Sequence, residues 1–214
     1  MKYHTRYQKL SSIIWMKRQF RDPYVAEARR LGYRSRAAFK LLEIDRKLRI
    51  LKPGQHVVDL GAAPGGWTQV AIALVSSDKK CGHVVAVDRT PWAPVPGATC
   101  LTCDVMAADT ANRLKQALGN GKADVVLSDM SPHSTGHQQT DQRRILVLVE
   151  AAYAFALEVL APGGSFVAKV LQSGAEPVIL SDMKRRFTVV RHLKPPSSRK
   201  QSAEIYLVAQ GLQA

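Results

Sequence analysis

The sequence predicts an α/β fold built on an open, mostly parallel sheet, and three observations carry that prediction. Beyond residue 53, short β-branched runs alternate with longer segments of helical periodicity, as in successive βαβ units. The first such run leads into a glycine-rich turn, Asp59-Leu-Gly-Ala-Ala-Pro-Gly-Gly-Trp67. Four aspartates, Asp59, Asp88, Asp104 and Asp129, each fall where one of the runs ends.

Residues 1–34 differ in character: they are polar and basic, with Trp15, Phe20 and Tyr24 scattered between charges. They are expected to form a basic N-terminal segment ahead of a domain over residues 35–214. Ser35 is placed to cap a helix whose Ala38, Leu41, Leu42 and Leu48 face the core, and Lys52-Pro-Gly54 feeds that helix into the sheet. His56 to Leu60 reads as the first strand. Pro64 then opens a helix to about Ser76, because a first-turn N–H has no partner to lose.

His83 to Asp88, Thr99 to Asp104 and Asp124 to Ser128 supply the next three strands. Gln142 to Leu160 has apolar residues at Ile145, Leu148, Val149, Ala152, Phe155, Ala156 and Val159, which predicts a long helix closing at Ala161-Pro-Gly-Gly. Ser165 to Val170 is a fifth strand, followed by a helix from about Glu176 to Arg186. Two last strands, Thr188 to Leu193 and Ala203 to Ala209, flank a basic turn, Lys194-Pro-Pro-Ser-Ser-Arg-Lys200. No internal repeat or low-complexity tract interrupts the order.

The formal net charge of +14 over 214 residues is unevenly spread. Residues 1–52 alone carry +11 and residues 184–200 carry +7, so the rest of the chain is mildly acidic. Two basic segments around an acidic body suit a polyanion, and nucleic acid is the expected partner. A membrane is the poorer fit, because no apolar run is long enough to span one and the basic segments lack a clean apolar face.

Cys81, Cys100 and Cys103 cannot all pair, and no hydrophobic signal region is visible, so a reducing cytoplasmic compartment is expected. The lack of acids in residues 1–21 leaves a mitochondrial matrix address open. Cys100-Leu-Thr-Cys103 has no second pair and reads as strand packing, and no metal is expected. His133 and His137 share an i, i+4 spacing, but Pro132 and Gly136 make them loop residues.

In open α/β sheets ligands bind beyond the carboxyl ends of the strands, so the four strand-end aspartates should gather around one crevice. The turn after Asp59 lacks the GxGxxG spacing of a dinucleotide fold. Gly61, Gly65 and Gly66 permit close backbone approach without an obvious pyrophosphate cradle, which favours a nucleoside lacking phosphate, such as S-adenosylmethionine. Asp88 is placed to meet its ribose hydroxyls and Asp104 its adenine amino group. A nicotinamide-dependent oxidoreductase stays open at this point, and S-adenosylmethionine against NAD in a binding titration separates the two.

Further blocks are specific: Arg21-Asp-Pro-Tyr24, Tyr33-Arg-Ser-Arg-Ala-Ala-Phe-Lys-Leu-Leu-Glu43, DLGAAPGGW, LSDMSP, APGGSFVAKV and KPPSSRKQSAEIYLVA. In this order, from about Trp15 onward, the chain resembles the FtsJ/RlmE family of ribosomal RNA 2′-O-ribose methyltransferases. The resemblance implies a seven-stranded Rossmann-like methyltransferase sheet with helices on both faces, and S-adenosylmethionine as donor. It implies a catalytic tetrad of Lys40, Asp129, Lys169 and Glu204, and donor contacts at Gly65, Trp67, Asp88, Asp104 and Asp129. Bacterial members of the family modify a uridine in the A-loop of large-subunit ribosomal RNA, which makes that RNA within the large subunit the implied partner; the oligomeric state stays open, with a monomer favoured. Ser131-Pro-His133 departs from the Ala-Pro-Asn that many members carry, which concerns loop contacts near the methyl group.

Methyl transfer from a sulfonium to a hydroxyl is an in-line displacement, so the protein must align the oxygen and relieve it of its proton. Ideal alignment removes roughly 7 to 11 kcal/mol of barrier. Lys169 is the chosen proton acceptor. Bringing an amine of ordinary pKa, about 10.4, to about 8 needs roughly 3 kcal/mol of ammonium destabilisation. Lys40 would contribute by repulsion while Asp129 and Glu204 oppose it, so both a neutral base and a charged, orienting Lys169 stay open. Asp129 is expected to orient Lys169, and Glu204 to position Lys40. Without the resemblance, Lys40 reads as a surface partner of Glu43, Glu204 as an outward strand residue and Trp67 as core.

Arg34, Arg36, Arg199 and Lys200 are the expected contacts to RNA phosphates, which predicts steep salt dependence. A noncatalytic RNA-binding assembly factor with the same fold is the alternative. Replacing Lys169 by Ala separates the two, because only an enzyme loses methyl transfer.

Overall fold

The computed structural model describes residues 21–76, 82–119, 121–132, 135–172 and 177–214. Seven strands form one sheet: β1 (His56–Leu60), β2 (His83–Asp88), β3 (Ala98–Thr102), β4 (Ala123–Ser128), β5 (Leu160–Leu171), β6 (Phe187–Leu193) and β7 (Glu204–Leu212). Their order is β3-β2-β1-β4-β5-β7-β6. The first five are parallel, while β7 runs antiparallel between β5 and β6. The strand order reverses at the β1–β4 seam, so the crevice belongs above the carboxyl ends of those two strands.

The antiparallel insertion matters for function. Lys169 pairs with Tyr206 and Leu171 with Glu204, so the start of β7 meets the end of β5 at the same edge of the sheet. Parallel strands alone could not deliver an N-terminal strand residue there.

Helices cover both faces. On one face, α1 (Pro23–Arg30), α2 (Ala38–Leu48) and α3 (Gly66–Val75) come first along the chain. Ala38, Leu41 and Ile44 of α2 and Trp67, Val70 and Val75 of α3 pack with Val57, Val84, Leu127 and Tyr206 of the sheet. The other face carries α4 (Thr110–Ala117), α5 (Gln138–Val159) and α6 (Pro177–Arg186), through Leu114, Val149, Phe155 and Met183. Full burial of such side chains contributes about 1.5 to 3 kcal/mol each.

Several boundaries differ from the sequence expectation, each for a local reason. Ser35 does not cap α2: Ala37 holds the cap position, the Ser35 carbonyl accepts from Ala38 N, and its Oγ is buried without a hydrogen bond among the described residues. Pro64 lies ahead of its helix, because Gly65 N donates to Ala62 O at 2.7 Å and Gly65 takes φ +113° before α3 begins at Gly66. Ala161-Pro-Gly-Gly164 does not separate α5 from a strand. Leu160 already pairs with Ala123 and Ser165 with Val125, so the four residues form an excursion within β5.

Helix α1 falls in the stretch read as a basic segment. Asp22 caps it, accepting from Tyr24 N at 3.1 Å, with Pro23 in the first turn and Arg29 and Arg30 in the last, where positive charge suits the helix dipole. Trp15, Phe20, Cys81 and His133 lie outside the described residues.

Candidate active site

At the carboxyl edge of the sheet, Lys40 enters from α2, Asp129 follows β4, Lys169 stands two residues before the end of β5 and Glu204 begins β7. The four form two ion pairs. Lys169 Nζ lies 3.2 Å from Asp129 Oδ1 and donates to the Asp129 carbonyl at 2.7 Å. Lys40 Nζ lies 2.7 Å from Glu204 Oε1. Lys40 is 9% and Lys169 8% exposed, so the amines sit at the rim of the core and not on an open surface. Buried charges of this kind persist only when paired and hydrogen-bonded.

Tyr206 joins the pairs, and the sequence reading did not include it. Its hydroxyl lies 2.8 Å from Asp129 Oδ1 and 3.2 Å from Glu204 Oε1. The ring is fully buried, with Trp67 at 5.5 Å and Lys40 Nζ at 5.8 Å from its centroid. Tyr206 has a single proton for two carboxylates, and the shorter distance favours Asp129. Its place was legible in principle, because it is two residues beyond Glu204 on the same face of β7. Ser198 Oγ completes the set, donating to Glu204 Oε1 at 3.1 Å.

The electrostatics follow from these contacts. Burial alone would raise the Asp129 carboxyl, but Lys169, then Lys40 and the Tyr206 hydroxyl, outweigh it and hold Asp129 below its ordinary value. Burial, reinforced by both carboxylates, pushes the Tyr206 phenol far up, so it stays a donor.

Beside this cluster opens a cleft of about 690 Å³. Asp88 and Asp104 line it as expected, held by backbone amides: Ala63 N and Thr90 N on Asp88, and Met106 N on Asp104. Met106 and Val147 also line it, 51% and 48% exposed. These two are among only four large apolar side chains so exposed among the described residues, and they give the cleft an apolar lip. Gly61 shapes the floor. It has φ +75°, and a Cβ there would stand 2.7 Å from Met130 Cγ.

The other expected residues are distributed differently. Asp59 does not reach the crevice; it is fully buried beneath it, with Oδ2 accepting from Thr68 Oγ1 at 2.7 Å and Oδ1 without a partner among the described residues. Burial, aided by Asp129 and Asp88, pushes its carboxyl up to about 7. Gly65 and Trp67 are not on the cleft wall: Gly65 packs against Val95, Trp92 and Arg34, while the Trp67 indole donates to Ala37 O at 2.8 Å.

Three of the four expected phosphate contacts have internal partners. The Arg34 guanidinium donates to the carbonyls of Pro64, Ala93 and Pro94. Arg36 and Arg199 both pair with Asp22, at 3.1 and 3.0 Å, and Arg36 also donates to Ser197 O. Glu43 accepts from Ser197 N and Oγ instead of pairing with Lys40. These bonds dock the 194–202 turn on α1 and α2, and so fix Glu204 against Lys40. Lys200 is exposed. Arg143 and Arg144, which the sequence reading passed over, stand exposed on the cleft wall with no partner among the described residues.

The arrangement can orient a hydroxyl between two amines, beside a cleft suited to a nucleoside. Comparison with known proteins agrees in kind. The family model of FtsJ-like methyltransferases matches residues 33–212. A ribosomal RNA large subunit methyltransferase E of Paramagnetospirillum magneticum is 59% identical over 206 residues, covering 95% of this chain and 84% of the relative. One from a Bradyrhizobium species is 53% identical over 204 residues, covering 95% and 88%. A crystal structure from Plasmodium falciparum, described as a ribosomal RNA methyltransferase, superposes with a TM-score of 0.75 at 26% identity, covering 85% of this chain and all of that one.

Proposed function

The chain belongs to the FtsJ-like methyltransferase family, and from that premise we propose that it methylates a ribose 2′-hydroxyl of large-subunit ribosomal RNA, with S-adenosylmethionine as donor. The relatives named as large-subunit methyltransferases support the RNA class. The acceptor is a uridine of the A-loop, as the sequence resemblance implies. The observation that carries the reading is the linked set Lys40–Glu204–Tyr206–Asp129–Lys169, none of which lines the cleft itself but which adjoins it through Met130, the residue after Asp129.

The residues fit the donor. The cleft wall offers carboxylates at Asp88 and Asp104 for hydroxyl and amino groups and an apolar lip for a base. Bound there, the donor supplies an electrophilic methyl group on a positively charged sulfur, which leaves as a neutral thioether.

The protein's share is to place the acceptor oxygen and take its proton. A neutral amine has two N–H donors and one lone pair; the carbonyl and Oδ1 of Asp129 take the two donors of Lys169, which leaves the lone pair for the proton of the acceptor hydroxyl. Lys40, braced by Glu204 and carried on α2, is the second amine of the site. Two anchored amines restrict the hydroxyl to one line of attack, which is where most of the rate gain of such a reaction arises. As the oxygen attacks the methyl group its proton passes to that lone pair, and the ammonium so formed at Lys169 is held by the ionised Asp129.

Incubating large subunits from cells lacking the protein with purified chain and labelled donor tests the reading. Label confined to one ribose of the large-subunit RNA supports it, and label on a base, or none, refutes it.

A further inference from the structure

The loop after β2 reads Pro91-Trp-Ala-Pro94-Val-Pro96, and its three prolines have no N–H to give. The carbonyls of Ala93 and Pro94 therefore lack a local ladder. Both accept from Arg34 instead, Pro94 at 2.7 Å, and among the described residues they accept nothing else. The same guanidinium reaches Pro64 O in the glycine-rich turn at 3.2 Å. Gly65 lies directly under the side chain: a Cβ there would stand 3.2 Å from Arg34 Cδ.

Both segments so joined carry walls of the donor cleft, Ala63 from the turn and Arg89 and Thr90 from the loop. The backbone of Arg34 is anchored too. Its N–H donates to Gln69 Oε1 at 2.8 Å, and Gln69 Nε2 donates to Gly32 O at 3.0 Å. Three residues on, Ala37 O takes the Trp67 indole N–H, and Lys40 follows within the next turn.

We infer that Arg34 is a positioning residue for the methyl donor: a guanidinium strap that holds the glycine-rich turn and the proline loop at the spacing the donor requires, and not a contact to RNA. The strap touches no reacting atom. It acts through the two backbone segments: Nη1 serves Pro64 O and Ala93 O while Nη2 serves Pro94 O, a spread over two nitrogens that the single nitrogen of a lysine does not reproduce. The inference rests on the proposed donor chemistry.

The test is calorimetric titration of S-adenosylmethionine and S-adenosylhomocysteine into wild type, Arg34→Ala and Arg34→Lys, alongside thermal melting and RNA binding at several salt concentrations. Removing charged hydrogen bonds that define a site is expected to weaken donor binding by about tenfold or more. RNA affinity and its salt slope should stay at the wild-type values, and turnover at saturating donor should stay within about threefold, so that the effect lies in KM. Arg34→Lys should recover only part of the loss, and it carries the test should Arg34→Ala fail to fold. Donor affinity at the wild-type value in Arg34→Ala, or a lysine that restores it fully, would overturn the inference. So would a shallower salt slope for RNA, which marks a phosphate contact. A wild-type chain that binds neither donor nor its product refutes the proposed function itself, a separate result.

Discussion

Tyr206 holds its hydroxyl 2.8 Å from Asp129 Oδ1, across the width of β5, and 3.2 Å from Glu204 Oε1, so one phenol touches both ion pairs of the site. Register is what makes it possible. Tyr206 pairs with Lys169 in the antiparallel ladder, so the phenol, the amine and the strand-end carboxylate arrive at one level of the sheet.

Tyr206→Phe should fold, since the ring volume is kept. It should lose about tenfold in turnover, near 1.4 kcal/mol for one hydrogen bond to a carboxylate. The hydroxyl is one of the contacts holding Asp129 low, so its loss should move the acid limb of the pH–rate profile to higher pH. A profile superimposable on wild type would remove Tyr206 from the network.

Asp59 gives a pH signature in stability. Its carboxyl is raised in the fold to about 7, mainly by burial, against an ordinary value of 3.8. Below pH 4 both folded and unfolded forms are protonated. From there to about pH 7 only the unfolded chain ionises, so the wild type loses stability as pH rises, at about 1.4 kcal/mol per unit from this group. Asp59→Asn should lack that loss, and thermal melts of the two proteins should diverge between pH 4 and 7 in favour of Asn. Parallel curves would contradict the assignment.

Asp22 predicts a stability effect without an RNA effect. Its side chain is 7% exposed, caps α1 and faces both Arg36 and Arg199. Asp22→Ala removes a cap and leaves two partly buried guanidiniums unpaired, which should cost about 2 to 5 kcal/mol in urea unfolding. Arg143→Ala and Arg144→Ala should do the reverse, leaving stability intact and lowering the slope of log affinity against log salt by about one each. The account of which cations face RNA fails if these two patterns are exchanged.

Most of the sheet was legible because its strands are apolar runs ending at aspartates, and because buried parallel strands leave little else for such runs to be. The tetrad was legible only through resemblance, since Lys40 and Glu204 look like surface residues until β7 is seen to run against β5. Charge counting found the basic ends but not the internal hydrogen bonds and ion pairs that Arg34, Arg36 and Arg199 make, which no composition reveals. Helix α4 escaped the reading although Ala111, Leu114 and Leu118 repeat at helical spacing before Gly119. Its eight residues are too few for a strong periodic signal.

The central claim is that the two amines and two carboxylates serve ribose methylation, and Lys169→Ala tests it most directly. Wild type and variant are compared for donor binding, melting temperature and methyl transfer to undermodified large subunits, with the product mapped by resistance of the 3′ phosphodiester to alkali. The account predicts a folded variant that binds donor and leaves every ribose unmodified, while wild type protects one position. Transfer by Lys169→Ala at the wild-type rate, or a wild-type product that stays sensitive to alkali throughout, would contradict it.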